Sequence, residues 1–419
     1  MKKVALLTPW PPQPSGIADY AFDLAAHLRG ICTEVHVFTS EQSPRLLDAV
    51  KFHWITKSEQ VAEDLEEFDH ILVQLGNHPD YHGYMLPFLE QHKHKCTIQL
   101  HDLVLHHLLK GVLAFGAAGE QYFSWLEKKY GTAVSDSIRS YFSSDGDPLE
   151  CRALLDYPCS DILTKGARSV IVHSNFVKQK LERRGVRNVA VVDLCMHVDE
   201  IKNSSDRKSQ CLQIGVFGGV QKNRRVDWII EALATLRCPE IPPWQLEIVG
   251  DVDDDCKYLL EVVKTKNLSD RVFFRGRLHL GDFNEKLADC DLLVALRSPT
   301  MGETSGVVTR ALSLGVPTIV SDVGWYSELP DCVIKVNDDN AIDSLSKCVH
   351  WILTDQTALP ELKDQTLQFA RDRLNISTTA DDILRVLLEP TIFKRAISSK
   401  PTRLDGHATS ILAAGRQRS

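Results

Sequence analysis

Two α/β domains, each a doubly wound, Rossmann-like parallel sheet flanked by helices, are predicted for this 419-residue chain. Three observations carry the prediction. Apolar runs of strand length alternate with segments of helical periodicity. The alternation occurs twice without any sequence repeat, and a polar stretch, 202–210, separates the two halves. A parallel sheet covered on both faces needs nearly continuous apolar strands, and a helix to carry the chain back between them.

In the first half, 1–201, the run Val4 to Thr8 reads as a strand, and Ile17, Tyr20, Ala21, Leu24 and Leu28 recur at helical spacing before Gly30, the expected helix stop. Cys32 to Thr39, Asp69 to Leu75 and Cys96 to Leu100 follow as buried strands, and 103–166 reads as a helical, aromatic-rich decoration. The second half, 211–370, starts with the strand Leu212 to Phe217. It continues through a helix, Trp228 to Leu236, and strands at Gln245 to Val249, Val272 to Phe274, Asp291 to Leu296, Val316 to Val320 and Cys332 to Val336. A last helical pattern, Thr378 to Leu388 within 371–392, precedes a polar, basic tail, 393–419, whose composition predicts disorder. Two such sheets facing one another place a ligand cleft beyond the carboxyl ends of their strands.

Composition narrows the function. With 43% hydrophobic and 25% charged residues the chain is an ordinary globular one, long enough for two domains of about 150 to 200 residues. A net charge of −8 argues against a nucleic-acid binder, which needs an excess of cations along one face. Eleven scattered cysteines without a Cys-x-x-Cys pair indicate neither a zinc ribbon nor a disulfide framework, and predict a reducing, cytoplasmic setting. No apolar span has the length of a signal or membrane segment, so contact with a membrane would be peripheral, at its inner face.

The richest chemistry lies in Gly302-Glu303-Thr304-Ser305-Gly306 and the run to Asp322. Val307, Ala311 and Leu314 share one helical face, Thr304 or Ser305 can cap the helix, and Gly315 can end it. Glu303 then stands at a helix N-terminus, where free N–H groups suit an anionic ligand and a carboxylate can accept from sugar hydroxyls. The loop Gly218-Gly219-Val220-Gln221-Lys222-Asn223-Arg224-Arg225 follows a strand and precedes a helix, so its backbone can wrap phosphates while Lys222 or Arg224 supplies charge. Across the expected cleft, Gly16 opens a helix after a Pro-rich loop and permits close approach of a phosphate. His101 and Asp102 follow the strand Cys96 to Leu100, with His106 and His107 as weaker candidates on the next helix. His78 and His82 lack a third ligand at useful spacing, so no metal site is predicted. Asp251-Val252-Asp253 reads as an acidic helix start, and Ser174 as an N-cap.

Taken in order, the block Gly302 to Asp322, the following Val323-Gly324-Trp325-Tyr326-Ser327-Glu328-Leu329-Pro330, the opening Val4 to Tyr20, Val172-His173-Ser174-Asn175-Phe176 and Val216-Phe217-Gly218-Gly219 resemble the family-4 retaining glycosyltransferases over nearly the whole chain to about residue 390. The resemblance implies the GT-B architecture, with the first domain on the acceptor side, the second binding a nucleotide sugar, and the last helix crossing back to the first domain. It implies transfer of a hexose from a UDP- or GDP-linked donor to a glycan, a lipid-linked glycan or a small-molecule hydroxyl, as in polysaccharide biosynthesis. Neither a tightly bound cofactor nor a metal is called for. The first glutamate of the family signature, placed against the donor sugar, falls on Glu303 after a one-residue adjustment, and His101 takes the place of the family's donor-sugar histidine. Thr304, Ser305 and Gly306 complete the donor-binding turn.

Two departures follow from the same comparison. Arg224 stands where the family places a phosphate-binding Lys, but Gly219 stands where it places an Arg, leaving Lys222 as a substitute. Arg310 stands at the family's second glutamate, which holds ribose; having only donors, it contacts phosphate or forms a local ion pair. These departures keep two alternatives open: a sugar-nucleotide epimerase on the same fold, and a nucleotide-sugar-binding protein without catalysis.

Overall fold

The computed structural model describes residues 3–55, 64–113, 120–143, 152–196, 211–236 and 241–389. The linker at 202–210 and the basic tail at 393–419 lie outside them. Two wholly parallel sheets organise the chain. The first has strands β1 (Lys3–Leu7), β2 (Glu34–Thr39), β3 (Val50–Trp54), β4 (His70–Leu75), β5 (Cys96–Leu100), β6 (Ser169–Val172) and β7 (Val189–Val191), in the order β3-β2-β1-β4-β5-β6-β7. The second has β8 (Leu212–Phe217), β9 (Trp244–Val249), β10 (Val272–Gly276), β11 (Leu292–Ala295), β12 (Thr318–Ser321) and β13 (Ile334–Val336), in the order β10-β9-β8-β11-β12-β13. In both, the strand order turns around beside the first strand, between β1 and β4 and between β8 and β11, so each sheet offers a crevice at those carboxyl ends.

Burial explains which strands were legible. β1, β4, β5, β8 and β9 are buried almost throughout and read as apolar runs. β3 is an edge strand, half exposed, with Lys51 and His53 interrupting its pattern, whereas β6 and β7 are apolar and mostly buried but, at four and three residues, too short to announce themselves as strands. The first helix, Gly16–Ile31, passes through Gly30 and closes one residue after Ile31, where the Cys32 N–H bonds to Leu28 O at 2.8 Å. Gly30 is thus no helix stop. Gly315 is one: its φ of +73° follows the helix Gly306–Ser313 and lets Val316 N reach Ala311 O.

The last helix, Ile376–Leu388, leaves the second sheet and packs on the first. Its Ala380, Ile383, Leu384 and Leu387 are buried with Ala21, Leu24, Ala25 and Leu28 of the first helix, against Val4, Leu6 and Leu72 of the sheet. This last described helix is therefore part of the first domain's core. Truncation of the fully buried Ile383 to Ala should cost about 2–5 kcal/mol in chemical denaturation, as for other buried aliphatic side chains. A loss well below that range would show that the crossing helix is dispensable to the first domain.

Candidate active site

The second domain supplies a cationic wall. After β8 the chain turns at Gly218, whose φ is +91°, and a single tight turn, Lys222–Arg224, brings Arg224 back over it. The Arg224 Nη1 donates to Phe217 O at 2.8 Å, and a Cβ on Gly218 would stand 3.0 Å from both terminal nitrogens of the guanidinium, so the glycine makes room for it. Arg224 Nε is buried and has no partner. Burial, and next the charge of Arg297, push Arg224 down to about 9.

Arg297 was not singled out in the sequence, although it directly follows an apolar strand, the place where α/β sheets present ligand-binding side chains. Its N–H donates to Ser321 Oγ at 3.0 Å and its Nη1 to Leu296 O at 3.1 Å, and the next residue, Ser298, donates from N to Asn223 O at 2.8 Å. The loops after β8 and β11 are thereby joined across the crevice, with Arg224 on one and Arg297 on the other. Lys222, expected at the phosphate, forms an ion pair with Asp255 at 3.4 Å instead. Gly219 is exposed, and a Cβ there would meet only Asp251 O, at 3.9 Å.

Glu303 sits in the turn before the helix. Its Oε1 lies 2.7 Å from Arg297 Nε, and its Oε2 accepts from Met301 N at 2.7 Å and Thr300 Oγ1 at 3.2 Å. Ser305, rather than Thr304, is the N-cap, accepting from Val308 N at 3.2 Å. Gly306 starts the helix, and a Cβ on it would stand 3.8 Å from Met196 Sδ of the first domain.

The first domain supplies a neutral polar wall. Thr8 donates to Gln74 Oε1, Gln74 Nε2 to Gln99 Oε1 at 2.9 Å, and Gln99 Nε2 to Tyr20 OH at 2.8 Å, a buried row along the ends of β1, β4 and β5. The His101 ring meets Tyr20 edge-on at 5.3 Å and His173 at 5.0 Å, and the Nε2 of each histidine is buried without a partner. Burial, more than the neighbouring imidazoles, holds His101 well below the usual range, and burial lowers His173 to about 4, so both are neutral at pH 7. Asp102 accepts from Asn77 N at 2.9 Å; burial raises it to about 6 against that bond, and the charge of Glu303 across the cleft adds to the rise. At Gly16 a Cβ would meet nothing within 4 Å, which leaves the start of the first helix open to a ligand. His106 is buried against Tyr122 and Cys159, and His82 bonds Gln74 O at 3.2 Å. Among the described residues no group of three His, Cys, Asp or Glu side chains is gathered as a metal site. No helix among them is long and apolar enough to cross a membrane.

Side chains from both domains close this site. Arg310, buried in the middle of its helix, has Nη2 3.4 Å from Asp19 Oδ2 on the first helix, an ion pair between domains. Glu328 accepts from Asn175 N at 2.8 Å and Phe176 N at 2.6 Å, capping the helix Asn175–Arg183 from the other domain. Gly302, with φ +77°, lies so close to Leu103 that an added Cβ would stand 2.6 Å from the leucine Cβ.

Residues 211–355 match the family model described as "Glycosyl transferases group 1". The whole architecture is also shared with solved structures. Anabaena HepE, crystallised with UDP-glucose, aligns with a TM-score of 0.65 at 15% identity over 93% of this chain and 100% of its own. Sucrose-phosphate synthase of Thermosynechococcus elongatus gives 0.65 at 16% identity over 92% and 98%. WaaG, a glycosyltransferase involved in lipopolysaccharide biosynthesis, gives 0.61 at 13% over 92% and 100%. The chain has the GT-B glycosyltransferase fold. No curated protein sequence matches it significantly. In the GT-B frame, the first sheet carries His101 and Gly16, the second carries Arg224, Arg297 and Glu303, and Arg310 joins the two through Asp19.

The Asp19–Arg310 pair predicts energetic coupling between domains. In a double-mutant cycle with Asp19→Asn and Arg310→Met, thermal unfolding should yield a coupling energy of about 0.5–3 kcal/mol. Additive effects would mean that the two groups act independently.

Proposed function

We propose that this protein is a retaining glycosyltransferase that moves a hexose from a nucleoside-diphosphate sugar to a hydroxyl of a glycan, a lipid-linked glycan or a small molecule. The observation that carries the reading is the convergence of Arg224 and Arg297 at the crevice between β8 and β11, beside a Ser305-capped helix N-terminus. Departure of a diphosphate builds negative charge as the sugar becomes oxocarbenium-like, and preorganised cations and N–H dipoles in a closed cleft stabilise that charge most. Arg297 supplies the second cation that Gly219 does not, which weighs against a binding protein without catalysis.

On this reading Glu303, His101 and Asp102 line the place of the donor sugar. As a neutral imidazole, His101 can hydrogen-bond a sugar hydroxyl without adding charge. Retention then proceeds by attack on the face that the leaving group vacates, with a phosphate oxygen of the diphosphate taking the acceptor's proton. No cofactor or metal is assigned a role. The HepE complex with UDP-glucose favours a uridine donor over a guanosine one.

A nucleoside diphosphate should raise the melting temperature more than its monophosphate, UDP against UMP being the first pair to compare. Equal shifts would remove the diphosphate site. Arg224→Ala and Arg297→Ala should each weaken UDP binding by about 1–3 kcal/mol, the loss expected for a charge-assisted contact. Glu303→Ala should lower turnover by about 10²-fold or more, equivalent to roughly 2.7 kcal/mol of transition-state stabilisation. Full activity in a folded Glu303→Ala protein would overturn the role of this carboxylate, and conversion of donor without acceptor would point to an epimerase.

A further inference from the structure

A wall that binds a diphosphate is expected to present its cations to the cleft, yet here one of them is already engaged. Arg297 Nε lies 2.7 Å from Glu303 Oε1 as an ion pair, the two side chains being only 8% and 16% exposed, while the buried Oε1 accepts no aligned hydrogen bond. Arg224 lies beside them with an unpartnered Nε, and among the described residues no other carboxylate forms an ion pair with either arginine. Glu303 is therefore the one anion paired within this cationic nest. A carboxylate and a phosphate edge both present two oxygens that fit a guanidinium. The same turn is fastened separately: Oε2 holds Met301 N and Thr300 Oγ1, contacts that an uncharged amide oxygen could also accept.

Resting on the glycosyltransferase reading, we propose that Glu303 is an internal stand-in for the diphosphate: its carboxylate pairs with Arg297, and an arriving nucleoside diphosphate takes the arginine over. The exchange frees Oε1 to accept from hydroxyls of the donor sugar. A bare nucleoside diphosphate displaces the carboxylate and leaves it in a poorly solvated place without a partner, which is costly. The intact donor satisfies both groups, because its phosphates hold Arg297 while its sugar hydroxyls hold Glu303. After transfer the sugar leaves with the acceptor, Glu303 regains its claim on Arg297, and the diphosphate product is weakened relative to the donor. Discrimination between donor and product thus comes from one charge on the protein.

Calorimetric titration of the full chain with inorganic pyrophosphate, UDP and UDP-glucose tests this. Glu303→Gln removes the competing charge and keeps the size of the side chain. It should tighten pyrophosphate and UDP about tenfold while UDP-glucose stays level or weakens, whereas Arg297→Ala should weaken all three ligands. Should the Gln variant fail to fold, Glu303→Asp withdraws the carboxylate from Arg297 by one methylene and should shift both bare anions in the same direction, by less. Unchanged or weaker pyrophosphate and UDP binding in the Glu303 variants, with Arg297→Ala still weakening both, would overturn the exchange and leave the donor site intact. If wild type and the Glu303 variants bind neither pyrophosphate nor UDP, the diphosphate site falls, and the exchange falls with it.

Discussion

Two guanidinium groups held near one another at the end of a parallel sheet impose the constraint around which this molecule is arranged. Like charges in a partly dry crevice repel, and burial makes each costlier still; the lowering of Arg224 to about 9 records both effects. The surrounding structure answers that cost locally. Arg224 is tied to Phe217 O, Arg297 to Leu296 O, and Glu303 places a negative charge against Arg297. The loops bearing the two arginines are joined by the Ser298–Asn223 backbone bond, so neither cation can relax away without disturbing the other. A site built this way is prepared for an anion before the anion arrives.

The first domain complements that wall by carrying little charge of its own. Its row of Thr8, Gln74, Gln99 and Tyr20 is linked by hydrogen bonds along the ends of three strands, while burial keeps His101 and His173 neutral. Asp102 is the exception. Its raised pKa reflects burial first and the field of Glu303 across the cleft in addition, so groups from opposite domains already act on one another electrostatically. The domains also meet directly, through Asp19 and Arg310, through Glu328 at the Asn175 helix, and through the close approach of Gly302 to Leu103. The last helix adds apolar contact by completing the first domain's core with residues encoded after the second.

Much of this was legible in the sequence, for physical reasons that particular elements make plain. Strands buried on both faces must be apolar, so β1, β4, β5 and β8 stood out, and a Ser before a helical pattern marks an N-cap, as Ser174 and Ser305 do. Gly315 could be read as a helix stop because an exit at positive φ favours glycine. These are local rules, satisfied within a few residues along the chain. The fold class followed from their order. The half-exposed edge strand β3 escaped because edge pairing tolerates polar residues, and β6 and β7 because an apolar run of three or four residues carries little pattern.

What the tertiary structure decided is how charges distant in sequence are paired. Arg310 meets Asp19 across 291 positions, Lys222 goes to Asp255, and the second cation of the crevice is Arg297, 73 positions after Arg224 when counted along the numbering. Residue spacing cannot reveal such partners, since a salt bridge depends on side-chain direction, depth of burial and the approach of separate loops. The sequence by itself determined the two sheets, the capped helix after Glu303 and the crevices where ligands can bind. Only the folded chain determined that Glu303 faces an arginine, because the energy of a buried carboxylate is set by whichever cation the fold brings within reach.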